Sequence, residues 1–403
     1  MNRNIQLSRK CVFGCGLALG LFVPFADACA QDTTLYTFSG GSDGGNPPCG
    51  LISGGKGVLP AQLRFFGTTE YGGAYGYGTV FEATNAGFMT VLHSFGGGGD
   101  GASPQACVIT DSSGHLYGTT EEGGTYDHGV VFKLSGGTET VLHSFGGGGD
   151  GANPFAGLIM DGAGNLYGTT IAGGGTGCGG GGCGTVFEVM PGGGETVLHS
   201  FAGSDGAYPV ASLAMDKAGN LYGTTAEGGA STNCGGGCGT VFELAAGGGE
   251  TVVHSFSGGD GATPEAAVIV AGAGNLYGTT EAGGANDDGT VFEVSHKGKE
   301  AVLHSFGGGS DGAYPLSAVL KKGGFLYGTT FGGGANGSGT VYKTPGKGGS
   351  DTLLYSFTGG SDGGLPEGGV LIESGNLFGT TYAGGMSCEE DENGCGVVFE
   401  LAP

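Results

Sequence analysis

The strongest constraint on the fold of this chain is an internal repeat that occurs seven times. The tripeptide Gly-Thr-Thr recurs every 50 to 55 residues, starting at Gly67, Gly118, Gly168, Gly223, Gly278, Gly328 and Gly379. A strand end of the His-Ser-Phe or Tyr-x-Phe type and a Val-Phe-Glu type strand recur equally often. A period of this length indicates a solenoid, a propeller or another array of one small unit.

Each unit contains four short β-rich segments separated by glycine-rich turns. In the third unit these segments are residues 157–161, 165–170, 185–189 and 195–201, which we call strands A, B, C and D. No segment of the unit has helical periodicity, and the turns between the segments are typical of tight hairpins. Repeated four-stranded antiparallel units of this length predict an all-β fold, the β-propeller.

The two ends of the repeat region predict closure into a ring. A D-type strand at residues 33–38 precedes any A, B or C strand, and the chain finishes on a C-type strand at residues 397–401. The seventh unit therefore lacks a D strand of its own, and the N-terminal strand can complete it and remove an exposed edge. We predict one domain, residues 31–403, that folds as a seven-bladed β-propeller with four-stranded antiparallel blades.

The first 30 residues have the pattern of a secretory signal peptide. Arg3, Arg9 and Lys10 precede an apolar run at residues 11–25, and Ala28-Cys29-Ala30 supplies a small-x-small cleavage pattern. We expect cleavage before Gln31 and a secreted or periplasmic protein. No later segment is apolar enough to span a bilayer, so we expect no membrane contact after cleavage. We also expect the protein to be a monomer.

Composition narrows the classes of partner. The formal net charge is −24, with 37 acidic residues against 13 Lys and Arg, which argues against nucleic acid and anionic membranes. Glycine accounts for 100 of the 403 residues, but 38% of the chain is apolar and only 12% is charged, so a packed core is expected rather than disorder.

The cysteines predict disulfides. Eight of the 11 cysteines lie after residue 30, an even number in an oxidising compartment. Six lie in the three longest B-to-C loops and predict the pairs Cys178/Cys183, Cys234/Cys238 and Cys388/Cys395, while Cys49 and Cys107 are placed to pair between neighbouring units. A four-cysteine zinc site at Cys178, Cys183, Cys234 and Cys238 is the alternative.

Acidic residues supply the candidate cation sites. Seven Asp-Gly-x-x-Pro turns place one aspartate each at a fixed offset from a proline, and these aspartates either cap their turns or form a Ca²⁺-binding ring; we favour capping. The strongest Ca²⁺ candidate is the loop of Glu389, Glu390, Asp391 and Glu392 between two cysteines, with a solvated acidic loop as the alternative. No other cofactor is expected.

Five histidines recur at one position of strand D and at first suggest a ring of ligands. They are His93, His143, His199, His254 and His304. Tyr36 and Tyr355 occupy the same position in the other two units, which favours packing plus a hydrogen bond over metal binding or catalysis.

The repeat also resembles a known family. Residues 164–170 (Gly-Asn-Leu-Tyr-Gly-Thr-Thr), 184–188 (Gly-Thr-Val-Phe-Glu) and 198–201 (Leu-His-Ser-Phe) are similar to the GloVer-type tandem repeat of exported bacterial proteins, the "choice-of-anchor tandem repeat" group. The resemblance covers residues 33–403. It implies a fold and an exported location, and it implies no catalytic residues.

The variable segments indicate where function lies. Most length variation between units falls in the B-to-C loops, which share a face with the D-to-A turns, and variable loops on a rigid scaffold commonly bind ligands. We expect a non-enzymatic protein that binds an extracellular glycan or protein on this acidic face. The alternatives are a passive envelope or matrix component and a polysaccharide hydrolase or lyase that uses Glu70, Glu121, Glu227 or Glu281.

Overall fold

The computed structural model describes residues 31–56, 62–272, 274–386, 388 and 393–402. The predicted signal peptide and the acidic residues 389–392 lie outside the described residues. The described chain consists of 28 β-strands and four short 3-10 turns, Gly98–Asp100, Gly148–Asp150, Cys178–Gly180 and Gly309–Asp311.

The strands form seven sheets of four, which we number as blades 1 to 7. Blade 1 contains β2 (Ile52–Lys56), β3 (Leu63–Thr69), β4 (Thr79–Thr84) and β5 (Met89–Ser94). Blade 2 contains β6 (Ile109–Thr110), β7 (Leu116–Thr120), β8 (Val130–Ser135) and β9 (Thr138–Ser144). Blade 3 contains β10 (Ile159–Met160), β11 (Leu166–Thr170), β12 (Thr185–Val189) and β13 (Glu195–Ser200).

The other blades repeat this order. Blade 4 contains β14 (Ala214–Met215), β15 (Leu221–Thr225), β16 (Thr240–Leu244) and β17 (Glu250–Ser255). Blade 5 contains β18 (Ile269–Ala271), β19 (Asn275–Thr280), β20 (Thr290–Val294) and β21 (Glu300–Ser305). Blade 6 contains β22 (Leu320–Lys322), β23 (Phe325–Thr330), β24 (Thr340–Pro345) and β25 (Thr352–Ser356). Blade 7 contains β26 (Leu371–Glu373), β27 (Asn376–Thr381), β28 (Val397–Ala402) and, from the other end, β1 (Gln31–Thr37).

The N-terminal strand closes the ring as the sequence predicts. Strand β1 pairs antiparallel with β28, with Asp32 opposite Leu401 and Thr37 opposite Val397, so blade 7 has the strand order β1, β28, β27, β26. The molecule is therefore a seven-bladed β-propeller, and the edge of β28 is covered.

A buried aromatic pair joins every blade to the next. The phenylalanine that follows each outer strand packs edge-to-face on the aromatic residue of strand C in the following blade, for example Phe145 on Phe187 with 5.0 Å between ring centroids. The same contact closes the ring, because Phe38 of blade 7 packs on Phe81 of blade 1 at 5.2 Å. These rings are almost fully buried and form the core between the sheets.

The Gly-Thr-Thr motif has a separate structural role for each residue. A Cβ at Gly168 would lie 2.6 Å from Cζ of Phe187, so only glycine leaves room for the ring that covers this strand. The first threonine donates its hydroxyl to a backbone carbonyl of the next blade, as Thr119 does to Ala156 at 2.8 Å. The second bonds strand C of its own blade, as Thr170 Oγ1 does to Thr185 Oγ1 at 2.8 Å. The tripeptide thus joins strands within and between blades.

The disulfides expected from the sequence are present. Cys178 bonds Cys183, Cys234 bonds Cys238 and Cys388 bonds Cys395, each within one B-to-C loop, and Cys49 of blade 1 bonds Cys107 of blade 2 with their Cα atoms 5.4 Å apart. The four-cysteine zinc alternative is therefore wrong, since its four thiols are consumed in two separate bonds. In the described part of the chain, no helix has the length and hydropathy needed to cross a bilayer.

Candidate functional site: the axial mouth

The D-to-A turns and the B-to-C loops lie together on one face. A glycine of each B-to-C loop donates its N–H to a carbonyl of the neighbouring D-to-A turn, as Gly174 does to Gly148. The aspartates of the Asp-Gly-x-x-Pro turns accept backbone N–H groups, for example Asp205 from Ala202 at 2.8 Å and Asp260 from Ser257 at 2.8 Å. The capping role favoured from the sequence is confirmed at these turns.

The residue before each proline anchors this face to strand B. It has a left-handed backbone although it is never glycine, with φ between 53° and 59° at Asn46, Ser103, Asn153, Tyr208, Thr263, Tyr314 and Leu365. Its carbonyl accepts the N–H of the residue after Gly-Thr-Thr, as Ser103 does from Glu121 at 3.1 Å. A conformation that costs about 1 to 3 kcal/mol persists only where surrounding contacts enforce it. The turn therefore holds two positions rigidly, the residue after Gly-Thr-Thr and the residue after the proline.

The side chains at these two positions converge from different blades towards the propeller axis, in a region that we call the axial mouth. Glu367 of blade 7 interacts electrostatically with Glu70 of blade 1 and with Glu265 of blade 5. Blades 5 and 7 are not neighbours, so their side chains approach each other only near the axis. The acidic cluster of the axial mouth consists of Glu70, Glu121, Glu265, Glu281 and Glu367.

Hydrogen bonds fix one side of the acidic cluster. The side-chain amide of Gln105 donates to Glu70 Oε1 at 2.9 Å and to Glu121 Oε2 at 3.2 Å. The hydroxyl of Tyr382 donates to Glu70 Oε2 at 2.9 Å. Both oxygens of Glu70 are therefore occupied, and its side chain is held between blades 7 and 2.

Burial makes ionisation of this cluster costly. Desolvation, with Glu70 and Glu265 as like-charged neighbours, raises the pKa of Glu367 to about 8. Desolvation and the charge of Glu281 raise the pKa of Glu265 to about 7. Burial also raises the pKa of Glu121 and of Glu281. Perturbed carboxyl groups clustered in this way are a common mark of a functional site.

The remaining blades present apolar side chains at the equivalent positions. Blades 3, 4 and 6 carry Phe155, Ile171, Val210, Ala226, Leu316 and Phe331 where the other blades carry acids, Gln105, Tyr382 and, in blade 1, Pro48. Phe155 keeps 36% of its surface exposed. The axial mouth therefore breaks the symmetry of the ring, with a polar part from blades 7, 1, 2 and 5 and an apolar part from blades 3, 4 and 6.

Sequence reasoning found this site only in part. The structure places Glu70, Glu121 and Glu281 in the axial mouth but not Glu227, which is one residue further along and lies beside Gly236 in the loop of its own blade. It missed Glu265, Glu367, Gln105 and Tyr382 as partners. For Gln105, Glu265 and Glu367 the missed signal is the position directly after the turn proline, which is acidic or amide only in blades 2, 5 and 7, whereas Tyr382 directly follows Gly-Thr-Thr.

Two surface clefts lie away from this mouth. One of about 600 Å³ is lined by residues 39–42, 72, 73, 75 and 76 and consists mainly of glycine backbone. The other, of about 290 Å³, lies between blades 3 and 4 beside Asp161 on the opposite face. The second cleft also holds two carboxylates, Asp161 and Glu188, beside apolar side chains such as Leu198. Both carboxylates accept a hydrogen bond from the hydroxyl of Tyr167, within one blade, whereas the acids of the axial mouth come from several blades.

The pKa of Glu367 predicts a pH-dependent stability. Because its pKa is about 8 in the folded chain and 4.5 ordinarily, the folded state binds the proton more tightly, and stability falls as pH rises through this window. We expect Glu367→Gln to raise the free energy of unfolding, relative to the parent, by about 4 kcal/mol more at pH 8.5 than at pH 5. Urea unfolding at both pH values measures this difference.

Glu122→Gln is the matched control for Glu367→Gln. Glu122 is an exposed neighbour of the same cluster. Its amide variant should track the parent at both pH values. Equal behaviour of the two variants would show that Glu367 is not desolvated.

Fold and site together define a seven-bladed β-propeller with an asymmetric, acidic axial mouth. The chain belongs to the Gloeobacter/Verrucomicrobia repeat family, whose sequence profile matches residues 19–181, 61–236, 176–315 and 231–403. This agrees with the resemblance seen in the repeat motif. A search of curated proteins finds no match.

Several solved structures share the propeller fold. Virginiamycin B lyase from Staphylococcus aureus aligns over 93% of this chain and 99% of its own, with 12% identity and a TM-score of 0.57. The extracellular domains of two hybrid two-component systems from B. thetaiotaomicron align over 93% and 92% of this chain with TM-scores of 0.56 and 0.54, at 9% and 13% identity. This chain spans 39% and 41% of the length of those two extracellular-domain chains. At such identities the likeness shows the fold alone.

Proposed function

We propose that this protein binds a saccharide in the axial mouth outside the cytoplasm. The observation that carries the proposal is the asymmetric mouth itself, in which four blades contribute desolvated carboxyl groups and polar partners and three contribute apolar side chains, the partly exposed Phe155 among them. A ring of seven similar blades has no structural need for such a difference between blades. Keeping Glu265 and Glu367 desolvated costs stability, and such a cost is commonly retained for a ligand.

The two parts of the mouth match the two kinds of surface on a sugar. Sugar hydroxyl groups donate hydrogen bonds to carboxylate oxygens and to the side-chain carbonyl of Gln105, whose amide nitrogen already donates to Glu70 and Glu121. The C–H faces of a sugar ring are apolar and pack on aromatic side chains such as Phe155. A neutral or cationic saccharide fits best, because an anionic one would be repelled by the acidic cluster.

Three observations support an exported location. The described chain contains four disulfides, which persist in oxidising compartments. Extracellular domains are among the propellers of similar fold. The sequence of residues 1–30 has the pattern of a signal peptide. N-terminal sequencing of the exported protein tests this point, and a chain beginning at Gln31 is expected.

A glycan array followed by calorimetry tests the binding proposal. We expect at least one neutral or cationic saccharide to bind, and we expect Phe155→Ala and Gln105→Ala each to weaken its affinity about tenfold, the effect of losing roughly 1.4 kcal/mol. Phe88→Ala is the matched control, since Phe88 is 69% exposed in a C-to-D turn on the opposite face. It should leave the affinity unchanged.

Two results would contradict the proposal. One is an array without any bound saccharide. The other is a bound saccharide whose affinity responds to Phe88→Ala but not to Phe155→Ala. A protein ligand that competes for the same face would retain the site but change the class of ligand.

Hydrolysis or elimination of a polysaccharide is the second candidate. One amide nitrogen of Gln105 holds Glu70 and Glu121 as a pair, and paired carboxyl groups are the arrangement used by glycoside hydrolases. The raised pKa of Glu121 suits a general acid. New reducing or unsaturated ends from a polysaccharide panel, lost in Glu121→Gln, would favour this candidate over binding alone.

A further inference from the structure

Five seams between neighbouring blades bring together a histidine and two carboxylates at the outer rim, far from the axial mouth. At the seam between blades 2 and 3 these are His143 of strand β9, Asp150 of the turn after it, and Glu195 at the start of β13 in the next blade. One potential ligand atom from each of the three side chains lies within 4.8 Å of the other two. The seams after blades 1, 3, 4 and 5 repeat the arrangement, with Asp351 in place of the glutamate in the last.

Several of the converging atoms are buried without a hydrogen bond of good geometry. At the seam of blades 2 and 3 these are His143 Nε2, which lies 3.2 Å from Asp150 Oδ1, and Glu195 Oε1, whose side chain also approaches Asp150. The same condition holds for His93 Nε2, Glu139 Oε1, Glu250 Oε1, Glu300 Oε1 and His304 Nε2. A buried polar atom without a well-formed hydrogen bond costs stability, and a bound cation would satisfy these atoms at each of the five seams. Asp32 Oδ1, at the equivalent position between blades 6 and 7, is in the same condition.

Contacts with neighbouring groups orient these atoms towards one point between the two blades, which we call the gap of the seam. The ring of His143 packs edge-to-face on Phe145 with 4.7 Å between centroids, which fixes its orientation. Asp150 uses Oδ2 to accept the N–H of Gly146, and its Oδ1 lies 3.2 Å from His143 Nε2. The site is therefore held in shape by groups other than its missing partner.

The two acids and the histidine around each gap favour a cation as the bound ligand. With both carboxyl groups ionised and the imidazole neutral, the three ligand groups carry a formal charge of −2, which a divalent ion neutralises. In the described part of the chain, the only ion pair that Asp150 makes is with His143. The histidine nitrogen and the aspartate oxygen are 3.0 to 3.4 Å apart at the five seams, and the second acid has an oxygen within 4.8 Å of both. Tetrahedral or octahedral coordination at about 2.1 Å places ligand atoms about 3.0 to 3.4 Å apart, so the second acid would have to move slightly inwards. The nitrogen donor favours a transition metal over Ca²⁺.

We propose that each of these five seams binds one divalent transition-metal ion, which joins the outer strand of one blade to that of the next. Three protein ligands leave at least one coordination position to water. The ions would stabilise the ring at its circumference. The inference is independent of the axial mouth and of any saccharide.

The two remaining seams provide internal controls. Tyr355 replaces the histidine between blades 6 and 7, where its hydroxyl donates to Asp362 at 2.9 Å, and Asp32 occupies the position of the second acid. Tyr36 replaces it between blades 7 and 1, where its hydroxyl donates to Asp43 at 2.8 Å, and Met89 stands at the position of the acid. The first of these seams therefore lacks only the imidazole, and the second lacks two ligands.

Zinc binding tests the proposal on the full chain. Protein stripped with a chelator and then equilibrated with ZnCl₂ should retain five Zn²⁺ per chain after desalting, as measured by mass spectrometry of the metal, and its Tm should rise until five equivalents are bound. His143→Tyr should retain four. Tyrosine is already tolerated at this position of the repeat, so the variant is expected to fold.

A pair of gain-of-ligand variants separates coordination from a general effect of histidine. Tyr355→His should bind a sixth ion, whereas Tyr36→His should still bind five because Met89 cannot serve as the acid. The proposal is overturned if zinc is not retained, if His143→Tyr leaves the stoichiometry unchanged, or if both tyrosine variants behave alike. A Tm that ignores zinc but changes between pH 6 and pH 8 would assign the gap to a shared proton and would also overturn it.

Discussion

Phe38→Ala is expected to destabilise the whole propeller by about 3 to 5 kcal/mol, the usual range for removing a buried phenylalanine. Phe38 is fully buried, and it follows the only strand that joins the two ends of the ring. Its ring packs on Phe81 of blade 1, so the substitution opens a cavity at the seam of closure. Urea unfolding followed by circular dichroism measures the loss.

Phe88→Ala is the control for Phe38→Ala. The side chain of Phe88 is largely exposed, and its loss should change stability by less than about 0.5 kcal/mol. Deletion of residues 31–38 should have a larger effect than either, because it removes the pairing with β28 and leaves that strand as an open edge. If the deleted protein retained the parent's unfolding midpoint, β1 would not close the ring.

Gly168→Ala is expected to cost about 2 to 3 kcal/mol although it adds a single methyl group. The new Cβ would lie 2.6 Å from Phe187 Cζ and 3.0 Å from Leu158 Cδ2, and both neighbours are buried. The ring of Phe187 is also held from the other side by Phe145 of blade 2, so it has little room to move. Thermal or urea unfolding detects the change.

Gly162→Ala is the matched control for Gly168→Ala. Gly162 lies in the A-to-B turn of the same blade, and a Cβ there meets no atom within 4 Å. Its substitution should be neutral or slightly stabilising, since alanine restricts the unfolded chain. Adding Phe187→Leu to Gly168→Ala should give a smaller loss than the sum of the single losses. Strict additivity would argue against the steric explanation.

The architecture was predictable because the four-strand pattern of one blade occurs seven times in the sequence. The spacing of Gly-Thr-Thr, the D-type segment before the first unit and the missing D strand in the last unit suffice to predict the ring and its closure. The roles of the turn aspartates and cysteines follow from local chemistry, because each acts within its own turn or loop or, for Cys49 and Cys107, between neighbouring units. Capping and disulfide roles of this kind can be predicted from the sequence alone.

The axial mouth and the rim seams were harder to predict because their members come from different units. Glu265 and Glu367 are about a hundred residues apart, and each follows a proline in what reads as an ordinary loop. His143 meets Glu195 only because consecutive outer strands are adjacent at the rim. Position along the chain also explains why Glu227 lies outside the axial mouth, since it is one residue further from Gly-Thr-Thr than Glu70, Glu121 and Glu281. These relations depend on the geometry of the closed ring, which the local pattern does not state.

Carboxyl footprinting with a water-soluble carbodiimide tests the location of the ligand most directly. Peptide mass spectrometry would compare the labelling of Glu121, Glu281 and the exposed Glu122 with and without the tightest-binding saccharide of the array. Protection of Glu121 and Glu281 with unchanged labelling of Glu122 is the result we expect. Unchanged labelling of all three residues under saturating saccharide would contradict the assignment of the axial mouth as the binding site.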